Sequence, residues 1–275
     1  MIAALKQHWP EYLIEGACLG IFMMSAFAFG TVLEHPASQL RQAISDPLLR
    51  RFLMGLAMGG TAIAIIYSPW GKRSGAHINP STTLTFFRLG KMSRTDAAFY
   101  GISQFAGALI GATVASLALA SWASHPAVNY VVTIPGKAGP WAAFFAETAI
   151  TFLLMTVILH VSNNHQLNRL TGLCAGLLVA AYITIEAPIS GMSMNPARTF
   201  ASAVSAGHWG GLWIYFTAPL IGMLAAAEAY VRANGSSQIG CPKLHHENSQ
   251  RCIFCGKPAA RSLPADIQAQ QPPEN

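Results

Sequence analysis

Charge is scarce in this chain. Asp and Glu number 11 and Lys and Arg 17 among 275 residues, so 10% of the chain is charged, where a soluble domain carries about a quarter. That deficit excludes an ordinary water-soluble domain, because 52% of the residues are apolar and too few charges remain to cover them. The net charge of +6 is modest, and the basic residues sit in short segments between apolar runs. A nucleic-acid footprint needs them clustered on one face of a soluble fold, so nucleic acid is excluded as a partner. No nucleophile–base set and no phosphate-cradling glycine loop is present, which argues against an enzyme. Cysteine is also sparse, at five. Cys18 and Cys174 fall in apolar runs, where a thiol behaves as a small apolar side chain.

What the chain does have is long apolar runs. Six approach the roughly 20 residues that cross a bilayer core: 12–33, 52–69, 97–122, 141–161, 170–189 and 211–231. The expected fold is an all-α membrane protein with the lipid bilayer as its surroundings. Lys6 and the Ala26-Phe27-Ala28 step imitate a secretory signal, but the run is longer than the apolar core of such signals, so no cleavage is expected. With both termini cytoplasmic, twelve Lys and Arg residues fall in inner segments and four (Arg41, Arg50, Arg51, Lys137) in outer ones. That bias sets orientation and points to the cell membrane. The Arg50-Arg51 pair is the part of the count that fits least well.

A short word occurs twice. Residues 74–81 read SGAHINPS and residues 190–197 read SGMSMNPA. Each follows an apolar helix and precedes a run of about ten residues, whose helix would reach about 15 Å, half a bilayer. Glu15 and Glu147 also open matching helices. Three full spans per half make the second half enter from the opposite side, so the pattern is an inverted repeat, about 10–122 and 141–231, within a channel domain of 1–232. Such repeats place their working site at the midplane, on discontinuous helices. Asn before Pro is a sound helix start, since Asn caps and Pro has no N–H to lose in the first turn. Asn79 and Asn195 are therefore expected to begin two half-helices that meet near the centre. Each start carries about half a positive charge, so the pair would donate hydrogen bonds to a neutral solute and repel protons and cations.

These motifs, with the Gln104-bearing run FYGISQFAGALIGA, resemble the major intrinsic proteins, the aquaporin and aquaglyceroporin superfamily, over about residues 10–232. The resemblance implies six spanning helices, two re-entrant half-helices, a pore in every protomer and a homotetramer, with no cofactor required for transport. It assigns Asn79 and Asn195 to the central pair and Arg198 to the outer constriction. His77 becomes an organiser of the first half-helix loop, and Glu15 and Glu147 become buried acceptors for loop backbone. Water-selective members carry His where this chain has Ile183. The remaining constriction positions are Met192 and either Gly59 or, with a one-residue insertion, Met58. One donor among apolar walls suits small neutral solutes such as glycerol, urea or ammonia. Bulky Met192 and the Thr199 that stands where glycerol-type members carry Asp suit water. Both readings stay open, beside a secondary transporter of inverted-repeat type. Glu186, one turn past Ile183, is expected in a hydrated outer mouth or as a partner for loop backbone.

After Arg232 the composition changes, and 233–275 reads as a cytoplasmic tail. Within 241–257, Cys241, Cys252 and Cys255 with His245, or His246 beside it, give a C-x3-H…C-x2-C spacing, and three thiolates with one imidazole form a closed zinc set. In a reducing compartment a Cys-x-x-Cys is a metal or redox pair rather than a disulfide. A zinc site, a thiol redox pair and no site remain as alternatives, and a channel gated by the tail's metal or redox state is one hypothesis. The closing QAQQPPEN is expected to be disordered.

Overall fold

A computed structural model describes residues 2–260; the closing QAQQPPEN and Arg261 lie outside them. Eight helices carry the architecture. Six are long: α1 (Ile2–Glu34), α2 (Pro47–Tyr67), α4 (Arg94–Leu119), α5 (Pro140–Ser162), α6 (Thr171–Ile185) and α8 (Leu212–Asn234). With α6 extended back to Asn168, all six are long and apolar enough to cross a membrane. Two are short, α3 (Pro80–Arg88) and α7 (Pro196–Ala206). No strand occurs among the described residues.

The long helices pair as α1 with α4, α5 with α8, and α2 with α6. The first two pairs occupy corresponding places in the two halves, and the third joins the halves. In lipid, apolar burial gives helices little reason to associate, so close backbone packing must supply it. Glycines provide that approach. A Cβ on Gly107 would stand 1.9 Å from the Gly16 carbonyl oxygen, and one on Gly59 2.4 Å from that of Gly176. The outward faces are apolar and open: Leu117 is 77% exposed and Ile185 74%. Such faces are stable against acyl chains and not against water.

Two boundaries and one charge differ instructively from the sequence reading. Helix α1 begins at Ile2 instead of 12, since hydropathy locates the apolar stretch and not the helix. Its polar first turns are held by tertiary bonds: His8 Nδ1 lies 2.8 Å from Asp96, Tyr12 donates to the same carboxylate at 2.6 Å, and Arg251 donates to the Gln7 carbonyl at 2.9 Å. Helix α6 stops at Ile185 instead of 189, and a separate turn, Ala187–Ser190, with Pro188 inside it, follows. Glu186 is thereby folded in, only 6% exposed, which goes against the first of its two expected places, a hydrated mouth, and leaves the second, beside the loop. Arg50 is also not a free loop charge. It is buried, donates to Glu34 at 3.2 Å and to the carbonyls of Ile44 and Ser45 at 2.9 and 2.8 Å.

Replacing Gly107 with Val should force α1 and α4 apart and cost at least the ~1–3 kcal/mol typical of overpacking. Gly101→Ala on the same helix, where a Cβ meets nothing within 4 Å, should be neutral. Thermal unfolding of the two variants in detergent checks the contrast, and equal melting would show that the α1–α4 approach is not tight.

Candidate functional site

The two repeated words form loops of matching conformation. Each follows a residue that ends a short helix, and Gly75 (φ 103°) and Gly191 (φ 81°) make the turn. Both loops then place non-glycine residues in the left-handed region: Ala76 and Ile78 at φ 53° and 41°, Met192 and Met194 at 49° and 56°. Such residues cost of order 1–3 kcal/mol each and persist only where surroundings over-determine them. Here the surroundings are Glu15 and Glu147, both fully buried. Glu147 accepts from the Ser193 and Met194 N–H groups at 2.6 and 2.7 Å and from the Ser190 hydroxyl at 2.8 Å. Glu15 accepts from the Ile78 N–H, from Ser74 Oγ at 2.8 Å and from Gln104 Nε2 at 2.9 Å. The expected role of the two acids as acceptors for loop backbone matches this geometry.

Beyond the loops, Asn79 and Asn195 cap α3 and α7. Asn79 Oδ1 accepts from Ser81 N at 2.9 Å; Asn195 Oδ1 accepts from Ala197 and Arg198 N at 3.1 and 3.2 Å. With the oxygens turned to their own helices, the amide nitrogens point across. Asn79 donates to the Met194 carbonyl and Asn195 to the Ile78 carbonyl, both at 2.7 Å. The two half-helices thus begin side by side. Each amide has a second N–H, and both side chains line the same cavity.

That cavity has a volume of about 310 Å³ and runs through the bundle between the two repeats. Glu34, Arg51 and Val132, the Asn pair, and Ile66 and Leu244 all line it. Arg198, Met192, Ile183 and Met58 line it. Gly59 is not among its lining residues; it faces Gly176 of α6. Arg198 donates to the Thr133 hydroxyl, so the cation in the wall is held from outside the repeated words. Thr199 is buried and lies within hydrogen-bond reach of Ser193 and Thr133, which makes it a loop brace.

His77 braces the first loop as expected, with Nδ1 3.1 Å from Thr83 Oγ1. Its Nε2 lies 2.9 Å from the Pro242 carbonyl of the tail, a link no local pattern announces. Among the residues missed, Ser74 and Ser190 stand five before each Asn, and Thr83 and Thr199 four after; aligning the two words would have found them. Tyr100 and Tyr215, which donate to the Ser74 and Ser190 carbonyls, and Thr133 carry no such signal.

The tail gathers Cys241, His246, Cys252 and Cys255, whose ligand atoms all lie within 4.8 Å of one another. His246 replaces the expected His245. The turn at the tail's fold aims His246 Nε2 at Cys255 Sγ, 3.2 Å away, while the His245 ring lies edge-on to Tyr67. Cys241 and Cys252 sulfurs are 3.3 Å apart, too far for a disulfide, whose S–S bond is about 2.05 Å. The hydrogen bond from Cys241, helped by His246 and the nearby Lys243 ammonium, pulls the Cys252 thiol well below its ordinary pKa. These four side chains are a set that could hold a metal ion.

Comparison with known proteins bears on the bundle. The family described as Major intrinsic protein matches residues 6–230. Aquaporin NIP2-2 of Zea mays is 37% identical over 174 residues, 62% of this chain and 57% of that protein. The chain therefore spans little more than half the length of such plant relatives. Glycerol uptake facilitator protein-like 6 of Lactiplantibacillus plantarum is 37% identical over 225 residues, 79% of this chain and 94% of that one. The X-ray structure of the aquaglyceroporin from Plasmodium falciparum superposes with a TM-score of 0.65 at 21% identity, covering 81% of this chain and 95% of that one. The family match ends at residue 230, ahead of the thiol cluster.

Glu147→Gln should destabilise the second loop. The amide would turn an NH2 toward backbone N–H groups, and an unmet buried donor costs ~1–3 kcal/mol. The expected result is a lower melting temperature in detergent, with Glu15→Gln behaving alike; wild-type melting for both would remove the acids from their bracing role.

Proposed function

We propose, because this chain belongs to the major intrinsic protein family, that it is a passive channel for water and small neutral solutes. The observation that carries the reading is the reciprocal pair of bonds from Asn79 and Asn195, which fixes two amide donors and two helix starts in the wall of one cavity. A solute moving downhill passes Arg198, Met192, Ile183 and Met58, then accepts hydrogen bonds from the Asn pair. A cation at the same point meets two positive helix ends and no carboxylate, since Glu15 and Glu147 are engaged by the loops. A secondary transporter needs a coupling acid near the midplane; the midplane residues here are amides, which favours the channel.

The walls support a solute path beside a water path. Of these four side chains only Arg198 is polar, so an alkyl backbone can lie against Met58, Ile183 and Met192 while its hydroxyls meet Arg198. Conduction needs no cofactor. The metal we assign to the tail cluster is zinc, in a structural role. Consistent with the family and the loop charges, we place the protein in the cell membrane with both termini cytoplasmic. We take it to be a homotetramer with one pore per protomer, the remaining apolar faces meeting neighbours or lipid.

Stopped-flow light scattering on proteoliposomes, with the tail cluster metal-loaded or stripped, tests this reading. Fast shrinkage in an impermeant osmolyte followed by fast re-swelling in glycerol or urea is expected in at least one of the two states, and in neither if the cavity were not a pore. Ile183→His should raise the ratio of water to glycerol permeability; an unmoved ratio would take Ile183 out of the constriction. Asn79→Asp or Asn195→Asp should admit a proton leak, read with an internal pH dye. A tight membrane in both variants would contradict the central-donor account.

A further inference from the structure

Residues 235–260, after α8, do not hang free. They fold back over the end of the bundle, and Leu244, only 5% exposed, lines the channel cavity beside Ile66, Ala76 and His77. We propose that a thiophilic divalent ion, zinc, held by Cys241, His246, Cys252 and Cys255, folds the tail into a plug whose Leu244 closes the tail-side mouth of the pore. The inference rests on the channel reading and on the zinc assigned to the tail cluster, and adds a gate to them.

Geometry suits the ion. Zinc–sulfur bonds of about 2.3 Å in a tetrahedron put ligands about 3.7 Å apart. The shortest pairs here, 3.3 and 3.2 Å, lie just under that value, and the widest separation is within 4.8 Å. Four side chains fill all four positions, which is the pattern of a structural site and leaves none open for chemistry. Cys252 and Cys255 flank a tight turn closed by Gly256 N to the Cys252 carbonyl at 3.0 Å, and Cys252 N reaches the Lys257 carbonyl at 2.7 Å.

Docking is specific and falls on the pore mouth. Leu244 N donates to the Gly75 carbonyl at 3.1 Å, in the loop that leads to Asn79. Lys243 Nζ donates to the carbonyls of Lys72 and Arg251 at 2.9 and 2.6 Å. Phe254 lies parallel to His77, with ring centres 6.0 Å apart. Arg251 pairs with buried Glu11, which also takes Arg73 at 2.9 Å. That second partner matters for reversibility: when the tail leaves, Glu11 keeps a cation and no buried charge is orphaned. A stretch this short buries few apolar groups, chiefly Ile239, Leu244 and Cys252, and segments of such size need a staple to hold a shape. Metal binding would supply it, since the site's binding energy becomes folding energy.

The test uses full-length protein in proteoliposomes, zinc content by elemental analysis, and stopped-flow permeability to water and glycerol with and without a membrane-permeant zinc chelator. The expected results are one zinc per chain and a several-fold rise in permeability on chelation. Leu244→Gly should show the same rise with zinc retained. Cys252→Ser with Cys255→Ser should lose zinc and conduct freely whether or not chelator is present. Chains that bind no added zinc overturn the metal site. Zinc-loaded protein whose flux is present and equal under all these conditions overturns the plug alone. Folded protein with no flux in any variant overturns the plug together with the channel reading.

Discussion

The arrangement depends on two carboxylates buried where a carboxylate is expensive. Glu15 and Glu147 lie fully inside the bundle; Glu147 is met by two loop N–H groups and a serine hydroxyl, and Glu15 by one loop N–H, a serine hydroxyl and the Gln104 amide. Irregular backbone at membrane depth is tolerated only where its polar groups are satisfied. Serines inside the loops at 74–79 and 190–195 meet the N–H groups of Ala76, Met192 and Asn195, but those of Ile78, Ser193 and Met194 are left for the acids. A carboxyl group with two oxygens can accept from several donors at once, and those donors in turn satisfy the buried acid. Remove the acid and both sides of the bargain fail.

From that brace the central geometry follows. The loops end in Asn79 and Asn195, and their reciprocal bonds to Met194 and Ile78 can form only if both carbonyls are held in place. Those carbonyls belong to the left-handed residues that Glu147 and Glu15 fix. The amides therefore have no freedom to flip, and their remaining donors face the cavity in a set orientation. A donor fixed in advance can replace a solute's lost water without reorganising. Selectivity against cations has the same origin, since the helix starts that aim the amides also carry the positive ends of α3 and α7.

The cavity also meets an element from outside the repeated bundle. His77 touches both systems: one ring nitrogen braces Thr83 in the first half-helix, and the other meets the Pro242 carbonyl of the tail. The thiol cluster lies a few residues from Leu244, so whatever sets the shape of the tail also sets the position of a side chain in the pore mouth. A metal with four protein ligands is well suited to that task, because it fixes a short segment that has too little apolar surface to fix itself.

How much of this was legible in the chain depends on whether a signal is local. Six spans, two half-helices and their Asn-Pro starts are written in hydropathy and in two eight-residue words, because lipid allows only helices and because Asn and Pro suit helix starts whatever surrounds them. The paired acids could be read from the repeat, and Ser74, Ser190, Thr83 and Thr199 could have been. Tertiary structure alone decided the rest. Met58 rather than Gly59 lines the cavity because Gly59 is consumed by the α2–α6 approach. His246 rather than His245 joins the thiols because the tail's turn, not the spacing, aims the ring. Thr133 holds Arg198, and Leu244 reaches the mouth, across separations in sequence that no periodicity records. Local chemistry specifies which backbone a residue can adopt; which neighbour it finds there is fixed only when helices far apart in the chain pack together.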